Sequence, residues 1–320
     1  TALVEDLNQM LGFSTNDLAI AKRAAELCKA DLATKMVVEM TSLQGLMGRY
    51  YALASGESPD VAQAIFEHYL PRTTSDVTPQ NKAGLLVGLA DRLDSLAGLF
   101  AAGLAPSGNK DPFAQRRSAL GIVQNLIVWN VDFDLKRALQ FTARYLPINV
   151  EPDLQAAALD FIIERLRNVL LENGARYDVV DSVLIAQGKN PALAASAVKS
   201  LSAWVSRSDW HTILPAYARC VRITRDLEEK FEVDNTILVE PAERDLLSAI
   251  VQAESTPRAA ASVDDFLNVF LPMIPVVNCF FDEVLVMVDD LSLRRNRLGM
   301  LQRIASLAEG IADFSKLEGF

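Results

Sequence analysis

The sequence predicts an all-α protein. Apolar residues recur at spacings of three and four, capping residues stand directly before prolines, and helix-breaking residues are scarce. Glycine and proline number 15 and 13 among 320 residues, below the roughly 12% of average usage. Sustained apolar/polar alternation is missing except weakly around residues 236–239, which argues against a sheet of any size.

Two stretches carry the clearest helical periodicity. In residues 31–54 the apolar stripe is Leu32, Met36, Met40, Leu43, Met47 and Tyr50, and in the second stretch it is Leu85, Leu89, Leu93, Leu96 and Phe100. Such spacing places each set on one face of a helix, and both faces are predicted to be buried. Gly45 and Gly48 interrupt the first stripe at a cost of about 1 kcal/mol each relative to alanine, so we expect another backbone to approach them closely.

Pairs of a capping residue and a proline punctuate the chain. Because proline suits the first helical turn, each pair predicts a helix start: Ser58-Pro59, Thr78-Pro79, Asp111-Pro112, Asn190-Pro191 and Thr256-Pro257. Asn173-Gly174 predicts a helix end, since glycine accepts a left-handed backbone. Two prolines within residues 145–152 make that stretch the best candidate for a domain boundary, with a second candidate at 206–210.

Charge and cysteine usage exclude several classes of protein. The net charge of −10 rules out a surface coated in positive charge, so any contact with nucleic acid must be local. Three widely separated cysteines provide neither a disulfide framework nor a Cys-x-x-Cys metal site, which favours a reducing compartment. Neither a run of about 18 apolar residues nor a signal peptide is present, so no membrane partner is predicted.

Long strings in three parts of the chain resemble one family. They are KADLATKMVVEMTSLQGLMGRYYA at 29–52, LADRLDSLAGLF at 89–100 continuing to PSGNKDPFAQRR at 106–117, and PVVNCFFDEVLVMVDDLSLRRNRL at 275–298. Together they resemble the C-terminal part of the β subunit of the bacterial-type α/β glycyl-tRNA synthetase. The resemblance implies a degenerate HD-like helical domain at 1–150, connecting helices at 151–204 and an anticodon-binding helical bundle at 205–320.

The resemblance also implies a function. The chain is expected to belong to a glycine–tRNA ligase and to position tRNA(Gly) and its anticodon for ATP-dependent glycylation by the α subunit. ATP and Mg²⁺ would bind to that subunit, while this chain is expected to bind no cofactor and to contribute no catalytic residue. The expected partners are tRNA(Gly) and the α subunit, without DNA, in the cytoplasm or in an organelle.

The HD-like region suggests an alternative, a metal-dependent nucleotide phosphohydrolase. HD-type enzymes bind their metal through histidines, a His-Asp doublet and a later aspartate. This chain has two histidines and no His-Asp dipeptide, so we predict no metal site. Asp91 and Asp94 are expected to be solvated or paired with an arginine such as Arg92, and His68 is expected to be a surface or capping side chain.

Two groups of residues are candidates for RNA contacts. The first is Lys110, Arg116 and Arg117, next to a predicted helix N-terminus that favours phosphate, with Arg49 as a weaker addition. The second is Arg294, Arg295, Asn296 and Arg297, whose side chains can stack on bases or read base edges. In the alternative interpretation Arg294, Arg295 or Arg297 binds Asp282, Glu283, Asp289 or Asp290 and fixes two helices together, and Arg116 and Arg117 pair with acidic neighbours. A further alternative is that the whole chain is a purely structural assembly module.

Overall fold

The computed structural model describes residues 1–73 and 75–320, and within them it is helical without any strand. The all-α prediction is confirmed. The helices are α1 Ala2–Leu11, α2 Thr15–Leu27, α3 Lys35–Glu39, α4 Leu46–Ala54, α5 Pro59–Glu67, α6 Lys82–Ala101, α7 Gln115–Trp129, α8 Leu135–Ala143, α9 Pro152–Glu172, α10 Tyr177–Gln187, α11 Pro191–Val205, α12 Trp210–Thr224, α13 Pro241–Ser255, α14 Val263–Phe270, α15 Ile274–Glu283 and α16 Leu291–Ser306.

The chain divides into two compact units. Unit 1 comprises Thr1–Val169 and Lys189–Ala192, and unit 2 comprises Leu170–Gly188 and Leu193–Phe320. This division passes through α9 and α11. The three-part division at 150 and 204 stays a prediction.

Helix α6 forms the centre of unit 1. It packs against α1, α2, α5, α7 and α8, and its stripe from Leu85 to Phe100 is buried as predicted. A helix surrounded on most sides must be apolar over most of its circumference. Three glycines along α6 fit this crowding, and a Cβ added to Gly84 would lie 2.7 Å from the Cβ of Glu67 on α5.

The prediction of one buried helix over residues 31–54 is wrong. The segment is broken into a 3₁₀ turn at Ala30–Ala33, α3, a second turn at Thr41–Leu43, and α4. Most of the predicted stripe is exposed, with Met40 at 54% and Tyr50 at 51% of their full surface. The breaks accompany a contact between residues far apart in the segment: the buried carboxylate of Asp31 accepts hydrogen bonds from the N–H groups of Gly45 (2.6 Å) and Gly48 (3.0 Å), which folds the segment back on itself.

The close approach predicted at the two glycines of this segment is real, but side chains make it. A Cβ at Gly45 would lie 2.4 Å from the ring of Tyr69, and one at Gly48 would lie 2.8 Å from the side chain of Ile65. Gly45 also has a positive φ of 74°, a conformation that favours glycine.

The proline pairs predict helix starts unevenly. Pro59 and Pro191 begin α5 and α11, and Gly174 follows the end of α9 with a φ of 89°. The other three starts are wrong: α6, α7 and α14 begin three to six residues later. In α6 and α14 a polar residue nearer the helix caps it, Asn81 and Ser262 respectively. Asp111 does cap α7, by accepting the N–H groups of Gln115 and Arg116.

An aromatic cluster lies in the core of unit 2. The ring of Tyr217 on α12 meets the rings of Phe266, Phe270 and Phe314 edge-on at about 5.5 Å, and its hydroxyl donates to Ala305 O on α16. Two of these phenylalanines lie in Val263–Glu283, a segment long and apolar enough by composition to cross a membrane. Both phenylalanines are fully buried inside the unit.

Candidate nucleic-acid interface

Arg297, a predicted RNA contact, is an internal ion-pair partner in unit 2. It is 5% exposed, its Nε donates to Glu243 Oε1 at 2.6 Å, and its Nη1 donates to Leu285 O at 2.9 Å. The partner is therefore Glu243 on α13, and none of the four carboxylates named in the alternative interpretation. Burial raises the pKa of Glu243, but the hydrogen bonds from Arg297 and from two backbone N–H groups outweigh it and hold that pKa below 4.5.

Asn296 is buried beside Arg297 and also has internal partners. Its side-chain oxygen accepts the N–H of Asp234 at 2.7 Å, and its amide nitrogen donates to Asp234 O. These bonds fix the chain that precedes α13 against α16. Because Asn296 and Arg297 are buried, an RNA could reach almost none of either side chain. Their role in RNA binding stays a prediction.

Arg294 and Arg295 face outward to different degrees. The Nε of Arg294 donates to Val288 O at 2.7 Å, which leaves the terminal nitrogens of its half-buried guanidinium without a hydrogen-bond partner among the described residues. Arg295 is exposed, 3.7 Å from the exposed carboxylate of Glu229. Because such surface pairs contribute little, these two are the cations of α16 that can meet a ligand.

In unit 1, the basic residues in the loop before α7 and at the start of α7 have different roles. Arg116 donates to Gly108 O within its own loop and lies 3.9 Å from Asp111. Lys110 and Arg117 are exposed, and their side chains make no hydrogen bond or ion pair within residues 1–73 and 75–320. Arg116 thus shapes the loop, while Lys110 and Arg117 remain free to bind an anion.

Two further arginines of unit 1 share one aromatic ring. The guanidinium carbons of Arg49 and Arg72 lie 5.5 and 5.3 Å from the centroid of Phe66. Arg49 is held by Gln63 (3.3 Å) and Arg72 by Gln44 O (3.1 Å), and neither pairs with a carboxylate in the described part of the chain. Sequence reasoning missed Arg72, since nothing in its spacing links it to Arg49.

Arg92 organises the turn that carries Arg72. From its buried position on α6, its Nη1 donates to His68 O (2.7 Å) and Gly88 O (3.1 Å), and its Nη2 donates to Tyr69 O (2.9 Å) and Leu70 O (2.8 Å). Burial lowers the pKa of Arg92 to about 10, so the guanidinium stays charged at neutral pH. The predicted pairing of Asp91 with an arginine is wrong, since its partner is Lys29 at 2.9 Å.

His68 is fully buried, so the prediction of a surface side chain is wrong. Its Nδ1 lies 2.6 Å from Ile65 O in the last turn of α5, which agrees with the capping part of that prediction. A carbonyl only accepts hydrogen bonds, so Nδ1 carries the proton. Burial, followed by the charge of Lys29, lowers the pKa of His68 to about 3, and the ring is therefore neutral with a bare Nε2.

The depressed pKa of His68 predicts an acid-dependent loss of stability. In the unfolded chain histidine titrates near 6.5, so between pH 6.5 and about 3 the unfolded state binds a proton that the folded state excludes. The stabilisation is complete above pH 6.5 and declines by about 1.4 kcal/mol per pH unit below it. Urea unfolding at several pH values would measure this, and the difference between wild type and His68→Gln should shrink as pH falls. A constant difference would contradict it.

Acidic, histidine and cysteine side chains do not assemble into a metal site in the described residues, where no group of three or more could hold an ion. The donor set of a metal-dependent phosphohydrolase is thus lacking there. Unit 1 instead presents several basic side chains that have no carboxylate partner among the described residues.

Comparison with known proteins identifies the chain. A family model described as glycyl-tRNA synthetase beta subunit matches residues 1–185, and one described as DALR anticodon binding domain matches residues 213–312. The chain belongs to the glycyl-tRNA synthetase beta subunit family. The second match contains α13 to α16, and with them the buried Arg297–Glu243 pair and the outward Arg294 and Arg295.

Relatives of this family align with nearly all of the chain. The glycine–tRNA ligase beta subunit of Myxococcus xanthus is 40% identical over 94% of this chain, and that of Moorella thermoacetica is 37% identical over 98%. The chloroplastic/mitochondrial glycine–tRNA ligase 2 of Arabidopsis thaliana is 37% identical over 99%. The chain covers 45%, 47% and 30% of these three proteins, so it spans less than half of their length.

Proposed function

We propose that this chain is the tRNA-binding part of a glycine–tRNA ligase β subunit. It positions tRNA(Gly) and its anticodon for ATP-dependent glycylation by the α subunit, in the cytoplasm of a bacterium or in an organelle. ATP and Mg²⁺ act at the α subunit, and this chain binds neither. The observation that carries the proposal is the match of residues 213–312 to an anticodon-binding domain, together with arginines that lack internal carboxylate partners.

In unit 2, the buried polar residues of α16 support the exposed ones. Arg297 and Asn296 fix α16 against the chain around Glu243 and Asp234, and Arg295 projects from the exposed side of the same helix. An anchored helix holds an exposed guanidinium where it can stack on an unpaired base or bind a phosphate. We therefore assign anticodon contacts to Arg294 and Arg295.

In unit 1, the free cations support contacts to the RNA backbone. Lys110 and Arg117 flank the N-terminal end of α7 and Arg49 lies over Phe66. The chain carries a net charge of −10, so its general surface repels polyphosphate and binding has to concentrate at such local sites.

Equilibrium binding of the 320-residue chain to tRNA(Gly) tests the proposal. Binding should weaken as salt rises, with a logarithmic slope of about 0.9 per neutralised phosphate in a duplex and about 0.7 in a single strand. A tRNA(Gly) with a changed anticodon should bind more weakly, because base contacts typically contribute about 1–3 kcal/mol each. Equal binding of tRNA(Gly), its anticodon variant and an unrelated tRNA would contradict the proposal.

Alanine variants of exposed arginines should separate the two kinds of contact. Arg295→Ala is expected to weaken the binding of tRNA(Gly) more than the binding of its anticodon variant. Arg49→Ala should weaken the binding of both RNAs alike and reduce the salt slope by about the contribution of one phosphate. The matched control is Arg207→Ala, because Arg207 is also a surface arginine but is bound by Asp209 at 2.6 Å. Filter binding or fluorescence anisotropy measures all three.

A second candidate function, subunit assembly, is favoured by one observation. The surface of residues 32–53 exposes the apolar side chains Leu32, Met36, Val38, Met40, Tyr50, Tyr51 and Leu53, and exposed apolar patches often mark protein contacts. The same alanine variants discriminate the two functions. If Arg295→Ala and Arg49→Ala both leave tRNA binding unchanged, assembly with another part of the ligase becomes the better account.

A further inference from the structure

A cavity of about 420 Å³ opens in unit 1 beside the turn held by Arg92. Its lining includes His68, Arg72, Asp91, Arg92, Arg117 and Ser118. The volume lies within the range of about 300–1,000 Å³ that small-molecule sites occupy. These residues come from α6, α7 and the turn after α5, so the cavity is built by the packed centre of the unit.

The charge of this lining is positive inside an acidic protein. Three guanidiniums face one carboxylate, and that carboxylate, Asp91, is already neutralised by Lys29 at 2.9 Å. The guanidinium of Arg92 already donates hydrogen bonds to main-chain carbonyls and is not available to a ligand. Those of Arg72 and Arg117 have no carboxylate partner within the described ranges, which leaves two forked donors for an anion.

Three buried atoms of the lining residues lack hydrogen-bond partners among the described residues: Nε of Arg72, Nε2 of His68 and the hydroxyl of Tyr69. Buried polar atoms are almost always hydrogen-bonded in native proteins. The Nε–H of Arg72 needs an acceptor, and the bare Nε2 of His68 needs a donor. A molecule that satisfies both presents an anionic oxygen and a hydroxyl close together.

We propose that this cavity binds a nucleoside monophosphate, with the phosphate on Arg72 and Arg117 and a ribose hydroxyl towards His68. The nucleotide arrives either free or as the phosphorylated end of an RNA. The free-nucleotide form is independent of the proposed tRNA function, and only the RNA form rests on it. The proposal is for binding alone and includes no covalent step.

The test is calorimetric titration of the whole chain with AMP, adenosine and inorganic phosphate. AMP should bind at least about tenfold more tightly than either of the others, since adenosine lacks the phosphate and inorganic phosphate lacks the ribose and base. Arg117→Ala should weaken the binding of AMP by about tenfold or more. The matched control is Arg137→Ala on α8, an exposed arginine of the same unit that contacts the ring of Phe141 and does not line the cavity.

A second measurement does not depend on variants. The ¹⁵N resonance of His68 Nε2 should shift when AMP is added, because a hydroxyl then donates to a nitrogen that was bare. Absence of AMP binding up to about 1 mM, equal affinity for AMP and inorganic phosphate, or equal loss in Arg117→Ala and Arg137→Ala would each overturn the proposal.

Competition assigns the source of the nucleotide. Displacement of labelled AMP by a short RNA with a 5′-phosphate, but not by the same RNA without it, supports the RNA end as ligand. Displacement by neither supports the free nucleotide. A chain that binds tRNA(Gly) but not AMP overturns this inference alone, whereas one that binds AMP but no tRNA leaves it intact and overturns the proposed function.

Discussion

Replacing Arg297 by alanine is expected to lower the free energy of unfolding by about 3–5 kcal/mol, the cost of leaving one buried partner of an ion pair uncompensated. The side chains of Arg297 and Glu243 are 6% and 1% exposed, with 2.6 Å between Nε and Oε1. Without the guanidinium, the Glu243 carboxylate keeps only its bonds to the N–H groups of Val239 and Glu240. Urea unfolding followed by circular dichroism measures the loss.

The matched control lies one and a half turns further along α16. Arg303→Ala removes an exposed pair with Glu254, which should cost no more than about 1 kcal/mol. The double change Arg297→Met with Glu243→Gln should recover part of the loss, because it leaves no buried charge unpaired and the amide oxygen still accepts from the N–H groups of Val239 and Glu240. Equal effects of Arg297→Ala and Arg303→Ala would show that the Arg297–Glu243 pair is not the anchor of α16.

Replacing Arg92 by methionine is expected to destabilise unit 1 by about 3 kcal/mol or more, since hydrogen bonds to charged groups are worth about 1.5–3 kcal/mol each. Methionine fills much of the volume but leaves the carbonyls of His68 and Tyr69 without a donor among the described residues, while Leu70 O keeps the amide of Asn125 at 3.1 Å. The turn that positions Arg72 should then loosen. Hydrogen exchange of residues 66–73 and urea unfolding measure the two effects.

Alanine substitutions at two glycines should change the free energy of unfolding in opposite directions, and they serve as a control for the role of Arg92. A Cβ at Gly121 on α7 would lie 2.6 Å from Arg92 Nε, and that guanidinium cannot move away because four carbonyls hold it. Gly121→Ala should therefore destabilise by about 1–3 kcal/mol. At Gly98 the nearest atom is 3.4 Å away, so Gly98→Ala should stabilise its helix by about 0.5–1 kcal/mol. A stabilising Gly121→Ala would mean that Arg92 is not fixed.

Local patterns predicted the fold well wherever a helix is packed on most sides. The stripe of α6 and the starts of α5 and α11 are correct because burial and capping at these positions depend on neighbours within a few residues. The stripe over residues 31–54 failed because a tertiary contact overrode the period. The carboxylate of Asp31, 14 and 17 positions away from the N–H groups it binds, made a chain reversal more favourable than a continuous helix.

The candidate RNA-binding residues show even more clearly what local sequence can predict and what depends on tertiary contacts. Sequence alone placed Arg294, Arg295, Asn296 and Arg297 in one group, since all four are polar and adjacent. On a helix, successive residues point about 100° apart, so the four side chains cannot all face the same side. Glu243, 54 positions earlier, decides which one turns inward.

The sequence by itself determined that the chain is helical, that its basic residues must act locally, and that it resembles a glycyl-tRNA synthetase β subunit. These properties follow from composition, period and strings of adjacent residues. Only the tertiary structure decided that Arg297 is internal, that His68 is buried and neutral, and that Arg72 joins Arg117 at one cavity. The physical reason is that the charge and availability of a side chain depend on partners brought near by folding, and the partners of these residues lie tens of positions away in the chain.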